Sequence, residues 1–235
     1  MSTYVKLSKR LHTIANFLSE GTFFIDVGSD HGYLPCYVCQ KDPNAKAIAS
    51  EVREGPFLRT KETVHQYNLT DRIDVRLGDG LSVLTDQDNI SEIVIAGMGG
   101  TLITEILQVG KDKLIHIDKI IAQPNNHAER VRKFFLENGF HLVDEVILEE
   151  NDHIYEILVA KKNGSSSYRE DETIEKQLYF GPILMKEKSI PFQKKWQFEK
   201  EKYEKILKQI EHKQGNEDKI RSFKQKLRWI EEVLT

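Results

Sequence analysis

Between residues 23 and 138 the chain alternates short apolar runs with helical patterns, and that alternation restricts its fold more than any other feature. The apolar runs fall at 23–27, 47–50, 73–77, 93–96 and 119–122, and helical spacing occupies 34–40, 55–67, a short 81–85, 101–109 and 128–138, the last closed by Gly139. A connection long enough to hold a helix returns the chain in its original direction, so successive strands should pair in parallel. Two further runs, 142–148 and 155–160, are separated only by Glu149-Glu150-Asn151-Asp152-His153, too short for a crossover helix. They are expected to form an antiparallel hairpin. The predicted fold class is α/β, a mostly parallel, doubly wound, seven-stranded sheet. Leu7, Leu11, Ile14, Ala15 and Leu18 predict an amphipathic helix over residues 4–19 ahead of it.

The first strand breaks into Asp26-Val27-Gly28-Ser29-Asp30-His31-Gly32 and then a helix. Gly28 permits a tight turn and Gly32 a close backbone approach, while Asp30 replaces the middle glycine of the dinucleotide pattern. An acid two residues before the first glycine is where S-adenosyl-L-methionine (SAM) enzymes position the charged methionine end of the cofactor. Glu51 closes the second strand about 20 residues on, where such folds place an acid for ribose hydroxyls. That position suits SAM or NAD equally. Asp79, between Gly78 and Gly80, falls where SAM enzymes often meet the adenine amino group. Singly, Glu51 or Asp79 reads as well as a cap or turn acid; in this order and spacing with Asp26 they point to SAM.

The fourth strand ends in Ala96-Gly97-Met98-Gly99-Gly100, whose glycines are expected to leave room for a planar base or the sulfonium. No Asp/Asn-Pro-Pro-aromatic motif follows, which argues against methylation of an exocyclic amine. Gln123-Pro124-Asn125-Asn126 ends the fifth strand. Its amides suit either a nucleobase edge or a helix cap. His31 reads as a proton carrier or, more plainly, a turn residue. Cys36 and Cys39 are spaced C-x-x-C with no second pair, so buried free thiols are expected and a metal site is not.

The chain has 235 residues, net charge −3, and no apolar run of membrane-spanning length; its first residues lack the apolar core of a signal peptide, so a cytoplasmic location is expected. The small net charge hides an asymmetry. Residues 165–235 carry 16 Lys+Arg against 13 Asp+Glu, the remainder 18 against 24. Residues 161–167 are polar and glycine- and serine-rich, a natural boundary between a domain at 1–162 and a helical one at 163–235. Apolar stripes over 192–212 and 217–234, with a turn at 214–216, predict an antiparallel coiled-coil hairpin. Its Lys186, Lys188, Lys194, Lys195 and Trp196 read as a phosphate-gripping surface or as a solvated charged face.

The motifs at 26–35, 96–100 and 123–126, followed by the hairpin, resemble the TrmK family of bacterial tRNA (adenine-N1)-methyltransferases, over nearly the whole chain. The resemblance implies a Rossmann-like class I SAM methyltransferase domain and transfer of a methyl group from SAM to N1 of adenine 22 in the D-arm of tRNA. It places Asp26, Gly28, Ser29, Asp30, His31 and Gly32 at the methionine end, Glu51 and Val52 at the ribose, and Asp79 and Gly80 at the adenine of SAM. Ala96, Gly97 and Met98 would complete the cofactor site, with Gly99, Gly100, Gln123, Pro124, Asn125 and Asn126 bordering the target base and Lys194 and Lys195 meeting the tRNA. Asp30 and Asn125 are the candidates for catalytic contacts. The competing readings are a methyltransferase for another acceptor and a non-catalytic RNA-binding protein on the same fold.

Overall fold

A computed structural model describes residues 4–210 and 216–235. Seven strands form one sheet in the order β3-β2-β1-β4-β5-β7-β6. They are β1 (Phe23–Val27), β2 (Lys46–Glu51), β3 (Ile73–Leu77), β4 (Glu92–Met98), β5 (Lys119–Pro124), β6 (His141–Glu150) and β7 (His153–Lys161). The first five pair in parallel, as their helical crossovers require. The hairpin forms as expected, but its second strand inserts between β5 and β6, antiparallel to both.

Side-chain alternation divides the core. Ile25, Ile93 and Ile95 face the helices α4 (Gly100–Val109) and α5 (Ala128–Glu137), whereas Phe24, Val94 and Ala47 face α2 (Tyr33–Lys41) and α3 (Glu54–Gln66). Strands covered on both faces need apolar residues at consecutive positions, which is why the central runs do not alternate with polar residues.

The N-terminal helix differs from expectation. It spans only α1 (Lys9–Ala15), because Ser8 caps it, its Oγ accepting from Leu11 N at 3.2 Å. The Glu150 carboxylate takes the Lys9 and Arg10 amides at 2.5 and 3.2 Å. With those first-turn donors satisfied, residues 4–8 have no need to be helical, and Val5 N is held instead by Gln40 at 2.9 Å.

Beyond β7, two short helices unforeseen in the sequence, α6 (Ile174–Phe180) and α7 (Leu184–Glu187), precede the long α8 (Ile190–Ile210) and α9 (Glu217–Leu234). α8 and α9 run antiparallel. Lys200 pairs with Glu231 at 3.1 Å, and further along α8 the Tyr203 ring meets Phe223 at 5.1 Å. Of the expected turn, residues 214 and 215 lie outside the described residues. The stripe of Phe192, Trp196 and Tyr203 closes with Phe180, Ile230 and Val233 into a separate apolar core that also covers Ile147 of β6.

Arg132 of α5 joins that core to the sheet. Its guanidinium is buried and donates to Glu145 of β6 at 2.6 Å, to Glu156 of β7 at 2.7 Å and to the Leu178 carbonyl at 3.1 Å. Lys195 of α8 closes the cluster on Glu156, and Ile183 N donates to Glu145 at 3.0 Å. Burial raises Glu145, whereas on Glu156 the two cations Lys195 and Arg132 outweigh burial and hold the carboxyl below its usual range.

Candidate active site

The strand order reverses direction between β1 and β4, and the carboxyl ends of the strands part there to open a cleft. Gly28 turns the chain with φ +68°, its amide and that of Ser29 donating to the Ser50 carbonyl of β2. Asp30, His31 and Gly32 follow with φ of +36°, +70° and +69°. Left-handed backbone at two consecutive side-chain-bearing residues costs on the order of 1–3 kcal/mol each, and such strain is kept where the exposed backbone has work to do. Glu51, closing β2, partly offsets it by accepting from Asp30 N at 2.5 Å.

Asp26 is the electrostatic centre of the cleft. It is only 4% exposed, and among the described residues its carboxyl receives one hydrogen bond, from Ser29 Oγ at 2.6 Å. Burial pushes its pKa from 3.8 up to about 7; Ser29 opposes the shift, nearby Glu51 adds to it and Arg10 opposes it. A buried carboxyl so poorly compensated is suited to an incoming cation.

The cleft holds about 720 Å³ and brings together Asp26, Gly28, Ser29, Asp30, His31, Ala96, Gly97, Met98 and Asn125. Gly97, with φ +78°, presents bare backbone to it. Met98 reaches over the first loop so closely that a Cβ on Gly28 would lie 2.3 Å from its methyl. Beside Tyr33 of the first motif, the lining is completed by residues the motifs did not mark: Arg10 and Leu11 of α1, and Asp152, His153, Ile154 and Tyr155 of the β6–β7 hairpin. Arg10 lies 5.3 Å over the Tyr155 ring. Arg10 reads in sequence as one more charge on an amphipathic helix, so only the docking of α1 against β6 identifies it.

Other expected residues stand elsewhere. Val52 is 63% exposed beside Glu51, and Asp79 and Gly80 line a neighbouring hollow of about 440 Å³ with Leu102 and Ile106. Gly32 meets Thr60 of α3, where a Cβ would come within 2.9 Å of its methyl. The glycines ending β4 do not all make room for a ligand. Gly100 is buried, and a Cβ there would lie 2.3 Å from the His127 carbonyl, so its smallness serves the approach of α4 to the 124–127 loop.

That loop is held by its amides. Gln123, fully buried, accepts from Arg10 at 2.5 Å and from Gly97 N at 3.1 Å, and donates to Asn125 Oδ1 at 3.1 Å; Asn125 in turn donates to the Gly97 carbonyl at 2.8 Å. Neither Asn125 nor Asn126 caps α5, whose N-cap is His127 in a left-handed conformation. A third hollow, about 380 Å³, lies between residues 124–129 and the C-terminal helices and includes Lys195 and Tyr179. Lys194 is exposed and pairs with Glu149. Cys36 and Cys39 are buried free thiols, each pushed up to about 12 by burial. Among the described residues no cluster of three His, Cys, Asp or Glu is arranged to hold a metal ion.

A seven-stranded sheet with one antiparallel insertion and an acidic, glycine-lined cleft at its switch point defines a Rossmann-like fold of the SAM methyltransferase kind. The family model of TrmK, tRNA (adenine(22)-N(1))-methyltransferase, matches residues 24–232. The chain is 40% identical over 233 residues to the Bacillus subtilis tRNA (adenine(22)-N(1))-methyltransferase, covering 98% of each. The crystal structure of B. subtilis TrmK superposes with a TM-score of 0.92 at 39% identity, covering 98% of this chain and 100% of that one. A Streptococcus pneumoniae protein solved in complex with S-adenosyl-L-methionine gives 0.87 at 38% identity over the same shares. The chain belongs to the TrmK family.

Proposed function

We propose that this protein transfers the methyl group of S-adenosyl-L-methionine to N1 of adenine 22 in the D-arm of tRNA, in the cytoplasm. The observation that carries this reading is the full-length match to the B. subtilis enzyme, 40% identical over 98% of both chains, with the site motifs gathered at one cleft.

The residues present fit the cofactor. Asp26 offers a buried, undercompensated carboxylate to an ammonium group, and Gly28 and Gly97 offer bare backbone beside it. Glu51 has one oxygen not engaged by Asp30 and suits a ribose hydroxyl. When bound, the cofactor supplies a methyl group already activated on a sulfonium. Adenine N1 carries an in-plane lone pair at neutral pH, so a bond from N1 to the methyl carbon can form as the carbon–sulfur bond breaks, with no proton to remove. The protein's task is then placement. Asp30, its side chain open to the cleft, suits the positive charge that builds on the methylated ring.

Residues 163–235 act in this reading as the tRNA-gripping part. Lys194 and Lys195 already face sheet carboxylates, which suits them to hold the hairpin's position; exposed Lys186, and Lys202, which pairs with Glu199 of its own helix and not with the sheet, are better placed for phosphates. A target base stacked in the folded D-arm must swing out, at a cost of a few kcal/mol that such contacts offset.

The test is methyl transfer from labelled SAM to unmodified tRNA, followed by nucleoside mass spectrometry and mapping. N1-methyladenosine at the D-arm adenine is the expected product. Transfer to another atom or acceptor, or SAM binding without transfer, would refute the assignment.

A further inference from the structure

We infer that Asn125 reads the N6/N7 edge of the acceptor adenine and that Gln123, oriented by Arg10 and the Gly97 amide, is the positioning residue that fixes which way its amide faces. The inference rests on the adenine-N1 reading above.

The argument begins with an amide whose orientation is decided by its neighbours. Gln123 has a side-chain oxygen and nitrogen of nearly equal shape, yet two obligate donors, the Arg10 guanidinium at 2.5 Å and Gly97 N at 3.1 Å, meet the same atom. That atom must be the oxygen. Gln123 therefore turns its NH2 to Asn125, so the Asn125 atom facing it at 3.1 Å must be Oδ1. Nδ2 of Asn125 consequently faces the Gly97 carbonyl, an obligate acceptor, at 2.8 Å. Polarity passes from Arg10 and the Gly97 amide, through Gln123, to an exposed amide at the lip of the cleft.

Each Asn125 atom keeps one capacity beyond this relay, a lone pair on Oδ1 and a hydrogen on Nδ2. One acceptor beside one donor is the complement of adenine's N6–H and N7. That edge is also the one chemistry leaves free. N1 must face the methyl donor, and N6 and N7 lie to its side, so a contact there holds the base without covering the reacting atom. As N1 gains its methyl group, positive charge spreads to the N6 amino group and strengthens its bond to Oδ1. The contact thus gains in the transition state and should appear in kcat more than in KM.

The experiment compares an unmodified tRNA transcript with the same transcript bearing 7-deazaadenosine at the acceptor position, which lacks the N7 acceptor alone. With wild-type protein, kcat/KM should fall about tenfold for the deaza transcript. Asn125→Ala should lower kcat on the normal transcript and bring the ratio between the two substrates close to one. Gln123→Glu, isosteric but unable to donate to Asn125, should do the same, whereas Arg10→Met, which leaves the Gly97 amide on the Gln123 oxygen, should retain most of the preference. Equal rates for the two transcripts with wild-type protein would overturn the edge assignment. A preference undiminished in Gln123→Glu would overturn the role of Gln123. Absence of N1-methyladenosine on the normal transcript would instead overturn the reading on which both rest.

Discussion

Two of the regions in which this molecule buries carboxylates treat them in opposite ways. Glu145 and Glu156 lie at 1% and 4% exposure, but Arg132, Lys195 and the Ile183 amide meet their charges. Asp26 is buried to the same degree, at 4%, and among the described residues its carboxyl receives a single hydroxyl hydrogen bond. The first arrangement is closed and has nothing left to bind. The second is held protonated to about pH 7 by burial and lines an open cleft. Burial alone therefore does not mark a site; burial without compensation does.

The comparison is broken most severely at Arg132. Arg132→Met leaves two carboxylates buried without their shared cation, and a loss of about 3–5 kcal/mol is expected in urea unfolding. If the variant unfolds like the wild type, the cluster is not the joint between sheet and hairpin. The same cluster bears on the boundary expected near residue 163. Deleting the helical part would strip Leu178, Ile183 and Lys195 from it, so the role of that part is better tested by surface substitutions such as Lys186→Glu with Lys202→Glu.

The opposite sign is expected at Asp26. The folded state holds its proton up to about pH 7, while an unfolded aspartate releases it near 3.8, so the folded protein binds more protons in that window and loses stability as pH rises through it. Asp26→Asn removes this cost. In the absence of cofactor the variant should be more stable at pH 8 by roughly 3–4 kcal/mol, with little gain at pH 3. It should also bind SAM far more weakly by calorimetry. Equal thermal stability of both proteins at pH 8 would show that Asp26 is better compensated than its surroundings indicate.

A finer test is the pH dependence of binding. If a cationic group of SAM meets ionised Asp26, wild-type affinity should fall about fivefold between pH 7 and pH 6, and Asp26→Asn should not show that fall. Ser29→Ala is the smallest change proposed. Losing the one hydrogen bond to the Asp26 carboxylate should move the midpoint of that pH profile upward by about one unit, worth roughly 1.4 kcal/mol. An unmoved midpoint would show that Ser29 does not act on the charge of Asp26.

Local sequence was enough for the strand–helix alternation, the turn at Gly28 and the antiparallel hairpin, because each depends on periodicity or on the few residues joining neighbours. It was also enough to bring Asp26, Ser29, Asp30, Met98 and Asn125 to one cleft, since strands of a parallel sheet all end on the same side. It was not enough for the extent of α1, which depends on a carboxylate 140 residues away, or for the division of Asp79 and Gly80 into a neighbouring hollow. Nor did it reveal that Gly100 is small for the sake of a carbonyl in another loop.

What the sequence determined by itself is the scaffold and the acid-and-glycine turn that marks its ligand side, because hydrophobic period and glycine conformation are properties of contiguous residues. What only the tertiary structure decided is which charges are answered. Arg132 and Arg10 are each ordinary helix cations in sequence; one is enclosed by Glu145 and Glu156, and the other is aimed at Gln123 across the cleft. Their roles arise from partners brought close by strand order and helix docking, and no spacing along the chain encodes the field a side chain meets once water has been excluded around it.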